Sequence, residues 1–121
     1  MVAKFDETFA ALKALLAPYA PRLHVTADAP NAYMLDGEYA PEFKRAMFFG
    51  GVRAGKAYVS FYLMPVYSNP ELMGRISDRL RQRIHGKSCF NFTAPDPELF
   101  AELSELVRNG FTCYERLGYV K

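Results

Sequence analysis

The sequence lacks the short motifs that identify common metal sites and phosphate-binding loops. Its two cysteines, Cys89 and Cys113, form no C-x-x-C pair, whereas zinc sites are typically built from such closely spaced ligands. The stretch 48–56, FFGGVRAGK, matches neither GxGxxG nor the GxxxxGK pattern followed by Ser or Thr. Its glycines fall inside a predicted hairpin rather than before a helix. These absences argue against a zinc finger and against a phosphate loop.

A secretion signal and long apolar runs are also missing. Charged residues interrupt positions 1–12, so no signal-peptide pattern opens the chain, and the longest apolar runs fall far short of a membrane span. The net charge of +2 is too small to indicate nucleic acid by itself. We therefore expect a cytoplasmic protein with free thiols, and neither a membrane nor a nucleic acid as its partner.

What the sequence does contain is a large share of apolar and aromatic side chains. Half of its 121 residues are hydrophobic and 23% are charged, which predicts a single folded domain over residues 1–121 with a real core. Ten Phe and eight Tyr are present but no Trp. Tyrosine suits partly wet surfaces such as pockets and interfaces, because its ring is apolar and its hydroxyl is polar.

Hydrophobic periodicity predicts one helix at the start of the chain and several strands after it. The helix covers 4–17, and the first two strands cover 22–28 and 32–37, the second closed by an Asp36-Gly37 turn. A hairpin follows, with arms at 45–52 and 57–64. The pair Gly50-Gly51 in the first arm indicates a bulge or a close approach of another group to the backbone.

Two later helices show the same start signal. Asn69 and Asp96 are predicted N-caps, each followed by Pro and Glu, of helices that end near Gly86 and Gly110. A strand over 87–94 lies between them, and the tail 111–121 is read as a short helix or an extended segment. The predicted class is α+β, with a mainly antiparallel sheet of about five strands, helices packed on one face, and the order α-β-β-β-β-α-β-α.

Strand 57–64 is unusual because both of its faces carry large side chains. Val59, Phe61 and Leu63 share one face, which the helices should cover. The other face mixes aromatic rings, hydroxyls and a thioether, a combination that suits a surface that is sometimes wet and sometimes covered. Three interpretations stay open for it: ordinary core, a homodimer interface, or a groove for a small apolar or aromatic ligand.

The leading hypothesis is a non-enzymatic domain that binds a small ligand or a partner on this aromatic face and needs no cofactor. The predicted ligand-binding residues are Tyr58, Ser60, Tyr62, Met64 and Tyr67, with Ser60 as a polar handle. Arg53 and Lys87 are further candidates, for an anionic group.

Three other features of the sequence can each be interpreted either as a functional site or as an ordinary part of the structure. Arg75, Arg79 and Arg83 form a helical stripe that suits either a phosphate or a solvated face. The segment 36–43, with carboxylates at Asp36, Glu38 and Glu42, suits acid–base chemistry, cation binding or a polar connection. Cys89 is either a nucleophile paired with a histidine, as in a thiol-dependent enzyme, or a small buried thiol.

The chain resembles the YdhG-like bacterial family from about 44 to 111. The resemblance lies in AYVSFYLMP, an amphipathic helix, GKSCFNF and a helix that starts with Pro, at positions that include Tyr62, Pro65, Gly86, Lys87 and Phe92. It implies a frataxin-like α+β sandwich with helices on one face of an antiparallel sheet, and it raises the expectation that the other face is open.

The same resemblance implies an alternative function, because one branch of the family is regarded as an iron chaperone. Frataxin-like iron binding relies on an acidic ridge on the first helix and first strand. The first helix of this chain has only Asp6 and Glu7, offset by Lys4 and Lys13, so the ridge is missing. Metal delivery is therefore the second hypothesis and not the first.

Overall fold

Antiparallel strands form one sheet in the computed structural model, which describes residues 2–86 and 89–120 of the chain. Their spatial order is β1-β2-β3-β4-β6-β5. The strands are β1 (His24–Ala29), β2 (Ala32–Ala40), β3 (Arg45–Ala54), β4 (Val59–Leu63), β5 (Ile84–His85) and β6 (Cys89–Phe92). The predicted α+β class and the mainly antiparallel sheet are confirmed, with the short β5 as an additional strand.

The helices are α1 (Val2–Leu16), α2 (Met64–Ser68), α3 (Pro70–Gly74), α4 (Asp78–Arg81) and α5 (Pro97–Leu117), with a 3-10 helix at Ala17–Arg22. Both predicted N-caps are confirmed: the side chains of Asn69 and Asp96 accept hydrogen bonds from the backbone N–H groups of Glu71 and Leu99. Within the described residues, no helix combines the length and apolar character needed to cross a bilayer.

The prediction of one continuous helix over 70–85 is wrong. The segment forms α3, α4 and β5 instead, because the chain turns at Ser77 and is held there by α5. The backbone N–H and the hydroxyl of Ser77 both donate to the Glu102 carboxylate over 2.7 Å, and the Ser77 hydroxyl also caps α4. Gly86 therefore follows a strand and not a helix, although its φ of 80° is the left-handed conformation that glycine favours.

The predicted end of the last helix at Gly110 is also wrong. Gly110 lies inside α5, where a Cβ would come within 2.9 Å of the Pro65 side chain. The glycine therefore lets α2 pack closely against α5. The helix continues to Gly118, which has a φ of 84° and supplies the actual C-cap.

The predicted Asp36-Gly37 turn is a third correction, since β2 continues through it to Ala40. The pairing of β2 with β3 shifts register on both sides of Asp36, so bulges occur there and not a turn. Gly37 is required by the end of the chain: a Cβ at this position would lie 2.6 Å from the carbonyl oxygen of Tyr119. The next N–H along β2, that of Glu38, donates to the same carbonyl over 2.6 Å.

The glycine pair in β3 fits its prediction. A Cβ at Gly50 would lie 2.9 Å from the carbonyl oxygen of Tyr62, and one at Gly51 would lie 2.8 Å from that of Tyr33. Close backbone approach therefore excludes side chains at both positions. The register shift between Leu35 and Asp36 lies opposite this part of β3.

The hydrophobic core lies between one face of the sheet and the helices α1 and α5. Val59, Phe61 and Leu63 are fully buried there, as predicted from the alternation in β4. Aromatic pairs join the sheet to α5: Phe49 packs edge-on against Tyr114, with ring centroids 5.4 Å apart. The Tyr114 hydroxyl donates to the carbonyl oxygen of Phe48 over 2.5 Å, which fixes α5 against β3.

Replacing Gly37 with Ala should destabilise the fold, because the new methyl group would overlap backbone atoms of Tyr119 and Met47 that cannot move independently. We expect a loss of about 1–3 kcal/mol, the usual cost of overpacking, in the free energy of unfolding measured with urea. Gly74→Ala is the matched control, since a Cβ there meets no atom within 4 Å. Equal stability of the two variants would contradict the docking of the chain end on β2.

Candidate functional site

The face of β4 opposite the core is only partly covered. Tyr58, which directly precedes β4, is exposed and Tyr62 is half-buried, whereas Ser60 is buried between its neighbours. Across the strand pair, Tyr62 lies opposite Cys89 and Ser60 lies opposite Asn91, and both of these β6 residues are half-buried. The second face of β4 is thus not ordinary core in the isolated chain.

Ser60 does not serve as the free polar handle that the sequence predicted. Its side chain is 6% exposed, and its hydroxyl donates to the Asn91 side-chain oxygen over 2.7 Å. The Cys89 thiol donates to the same oxygen over 3.3 Å. These contacts satisfy the polar groups at the centre of the face, so they join β4 to β6 rather than offer hydrogen bonds to a ligand.

The other predicted site residues separate toward two clefts at opposite ends of β4. The first, called here the aromatic cleft, has a volume of about 420 Å³ and contains Met64 and Tyr67. Its lining is Asp36, Phe43, Arg45, Ala46, Met47, Phe48, Met64 and Tyr67. The second, called the polar cleft, has a volume of about 240 Å³ and contains Tyr58. Its lining is Tyr58, Gln82, Arg83, Ile84, His85, Asn91 and Thr93.

Ser60, Tyr62 and Arg53 line neither of these two clefts. Arg53 is exposed on β3 beside Ser60, with which it pairs in the register of β3 and β4. Lys87 lies outside the described residues. The predicted residues therefore do not form a single continuous site.

The aromatic cleft is mostly made of residues that the sequence reasoning did not select. Phe43 and Tyr67 line it with 53% and 48% of their surfaces exposed, and Phe48 and Met47 come from β3. In the structure, the exposure of these large rings indicates the cleft. The sequence shows that the rings are present but not that they are exposed. Lys44, next to Phe43, has a φ of 56°, so the turn that presents this ring uses an uncommon backbone conformation.

Two charged side chains, Asp36 and Arg45, complete the lining of the aromatic cleft. Burial raises the pKa of the Asp36 carboxyl above its usual range, and the nearby His24 only partly offsets this rise. His24 itself has a closer partner, because its Nε2 lies 3.0 Å from a carboxylate oxygen of Glu38. Asp36 is therefore a partly desolvated carboxyl group in a cleft, an arrangement typical of functional sites.

The three arginines of the predicted stripe are exposed to solvent, which agrees with the interpretation of a solvated face. Arg75 lies 3.5 Å from the Glu71 carboxylate, and Arg79 bonds Asp96 and Glu98 over 3.1 and 2.6 Å. Arg83 does not continue the stripe, because helix α4 ends before it and its guanidinium lies over the Phe92 ring. Arg75 and Arg79 therefore already have carboxylate partners within the chain.

Cys89 lies opposite His85 in the pairing of β5 with β6, but within the described residues no hydrogen bond joins the two side chains. Burial raises the pKa of the Cys89 thiol, and hydrogen bonding to Ser60 and Tyr62 offsets this only in part. A thiol-dependent enzyme needs the opposite shift. Cys113 accepts a hydrogen bond from the Asn69 side chain over 3.1 Å. Over residues 2–86 and 89–120, no three His, Cys, Asp or Glu side chains come together as a possible metal site.

Comparisons of the chain with protein-family models, with curated proteins and with solved structures gave no match. The resemblance to the YdhG-like family therefore stays a prediction. The geometry of the two clefts is the basis for any functional conclusion.

The two faces of β4 should respond differently to truncation of neighbouring residues. Phe61→Ala should cost about 3–5 kcal/mol, because Phe61 is fully buried in the core. Tyr62→Ala, on the half-buried face, should cost distinctly less in the same urea unfolding experiment. If both variants lose the same stability, the Tyr62 face is core in solution.

Cys89 should react slowly with alkylating reagents, because a raised pKa leaves little thiolate at neutral pH. The experiment uses a Cys113→Ser variant, so that Cys89 is the remaining thiol, and follows iodoacetamide alkylation against pH. We expect the rate to be still rising at the pKa of a free cysteine, about 8.5, and to level off only at higher pH. A rate that is already maximal at pH 7 would restore the thiol-enzyme hypothesis.

Proposed function

We propose that this protein is a non-enzymatic cytoplasmic binding domain and that it binds a small molecule with an apolar body in the aromatic cleft. The observation that carries the proposal is the composition of the cleft. It joins three aromatic rings, from Phe43, Phe48 and Tyr67, to one carboxyl group and one guanidinium group.

The size and chemistry of the cleft both suit a small ligand. Ligand pockets typically have volumes of about 300–1,000 Å³, with apolar walls and a few polar groups that fix orientation. The aromatic cleft falls within this range at about 420 Å³. Met47 and Met64 add flexible thioether side chains, which adapt to the shape of a ligand better than branched side chains do.

The exposed rings support a ligand more directly. Phe43 and Tyr67 are among the most exposed large hydrophobic residues described, and they lie together at one cleft. Single exposed apolar residues need no explanation, whereas grouped ones mark binding surfaces. A ligand that covers both rings would remove apolar surface from water and gain the associated free energy.

The small-ligand interpretation is favoured over a partner protein because the aromatic cleft is concave and confined to a few side chains. A partner seated on the open sheet face would instead cover Tyr58 and Tyr62, which lie outside the aromatic cleft. The two interpretations therefore place their contacts on different residues. This difference makes them separable by residue-level mapping.

The test is a two-dimensional NMR screen of small neutral, cationic, anionic and zwitterionic compounds against the labelled protein. We expect some members to shift the amide signals of the segments 43–48 and 64–67. Phe43→Ala and Tyr67→Ala should each weaken this binding by about tenfold, the equivalent of 1.4 kcal/mol. Tyr39→Ala is the matched control, because Tyr39 is 60% exposed but does not line the cleft.

Two results would overturn the proposal. One is a screen in which no compound shifts the cleft signals. The other is a set of shifts on Tyr58, Tyr62 and their neighbours that grows with protein concentration, because that pattern identifies the sheet face as an interface between copies of the chain.

A further inference from the structure

Partial burial of the Asp36 carboxylate is energetically unfavourable, and no contact among the described residues fully compensates for it. Its side chain is partly buried, yet in the described part of the chain its carboxylate accepts no hydrogen bond and joins no salt bridge. Burying a charge without a hydrogen-bond or ion-pair partner is unfavourable, and the nearby His24 offsets this only in part. A carboxyl group that faces a cleft under these conditions has room for a partner that comes from outside the chain.

The backbone around Asp36 is held in place from two directions. Register shifts flank Asp36 in the pairing of β2 with β3, and bulges of this kind re-aim side chains near binding sites. On the other side, the end of the chain binds the N–H of Glu38 through the Tyr119 carbonyl. These contacts fix the direction of the carboxylate relative to the rings across the strand, since Asp36 pairs with Phe48 in the register.

The surroundings of Asp36 favour a positively charged group. The faces of aromatic rings attract cations, and clustered rings are the usual means of recognising alkylated ammonium groups. Phe43, Phe48 and Tyr67 supply three rings, and Asp36 supplies the opposite charge. Alkylated ammonium groups are also less strongly hydrated than ammonium itself, which makes their transfer into an apolar cleft easier.

Arg45 adds a requirement for a second, negative group on the ligand. It lines the same cleft, is exposed, and forms no salt bridge with another described residue. A simple cation would be repelled by this guanidinium. Arg45 is three residues from Phe48 along β3, a distance of about 10 Å at 3.3 Å per residue, which the long arginine side chain can shorten.

From these contacts we propose that the ligand of the aromatic cleft is a small zwitterion. Its ammonium group, preferably alkylated, lies among the aromatic rings beside Asp36, and its acid group pairs with Arg45. This proposal rests on the function proposed above and adds the chemical class of the ligand. No covalent step is involved.

The test uses probes that share a shape but differ in charge. Trimethylglycine carries both charges; 3,3-dimethylbutanoate replaces its nitrogen with carbon and so lacks the cation; choline lacks the acid group. NMR titrations of the wild-type protein should show trimethylglycine binding at least about tenfold more tightly than either of the others. This factor is the lower end expected for a charge-assisted contact, about 1.5–3 kcal/mol.

Two substitutions assign the charges to their residues. Asp36→Asn should reduce the preference for trimethylglycine over 3,3-dimethylbutanoate to what the aromatic rings alone supply, because the carboxylate no longer attracts the ammonium group. Arg45→Gln should abolish the preference for trimethylglycine over choline. Asp78→Asn and Arg75→Gln, two exposed helix-region positions outside the cleft, are the matched controls and should leave both ratios unchanged.

Stability measurements separate loss of binding from loss of folding. Because the folded state raises the pKa of Asp36, the folded chain holds this proton more tightly than the unfolded chain does. Ionised Asp36 therefore lowers the stability at neutral pH, and the effect grows as pH rises through the usual carboxyl range and the raised folded value. Asp36→Asn should thus keep or increase the thermal midpoint at pH 7 while it weakens the ammonium preference.

The outcomes distinguish the proposal of a zwitterionic ligand from the broader proposal that the aromatic cleft binds a small molecule. Equal binding of trimethylglycine and 3,3-dimethylbutanoate in the aromatic cleft, unchanged by Asp36→Asn, overturns the zwitterion and leaves small-ligand binding intact. The zwitterion is also overturned if only neutral or purely anionic members of the earlier screen shift the cleft signals. A screen with no cleft binder at all overturns both proposals.

Discussion

The pairing of β4 between β3 and β6 is the constraint on which the rest of the structure depends. Because β4 is central, Val59, Phe61 and Leu63 are fully buried under the helices, and they anchor the core that α1 and α5 complete. The same strand ends at Leu63, directly before α2 begins at Met64, so its position also decides where α2 lies relative to β3. Residues of α2 and β3 line the aromatic cleft together with Asp36 of β2 and Phe43 of the turn before β3.

The end of the chain contributes to the cleft from a distance. Helix α5 packs on the sheet through Tyr114, and after the cap at Gly118 the chain turns back so that Tyr119 contacts β2. This contact requires Gly37 and lies beside Asp36. The contact with Tyr119 therefore stabilises the irregular part of β2 around Gly37. In this way the packing of the last described residues helps to place the Asp36 carboxyl group.

The sequence pattern predicted correctly those parts of the fold that depend on interactions between residues close together in the sequence. The alternation in β4 separated its two faces correctly, and Asn69 and Asp96 cap their helices as side chains of their type usually do. The errors have a common cause in tertiary contacts. The sequence predicts a helix end at Gly110 because the contact of this glycine with Pro65 is not visible in it. It predicts a turn at Asp36-Gly37 because Tyr119, which requires the glycine, lies about 80 residues away.

The candidate site was predicted only in part for the same reason. Met64 and Tyr67 were selected from their strand and turn, but Phe43 and Asp36 reach the same cleft through the register of β2 and β3, which bulges make irregular. Ser60, in contrast, is predicted as a polar handle because it is the small hydroxyl side chain on an otherwise large and apolar face. Its partner Asn91 lies 31 residues away on a neighbouring strand.

The most direct test of the binding site is the measurement of intermolecular NOEs between the methyl protons of trimethylglycine and the ring protons of the protein. We expect NOEs to Phe43, Phe48 and Tyr67, because these rings surround the proposed position of the ammonium group. NOEs confined to Tyr58 and Tyr62 would place the ligand on the open sheet face instead, and would contradict the aromatic cleft as the binding site.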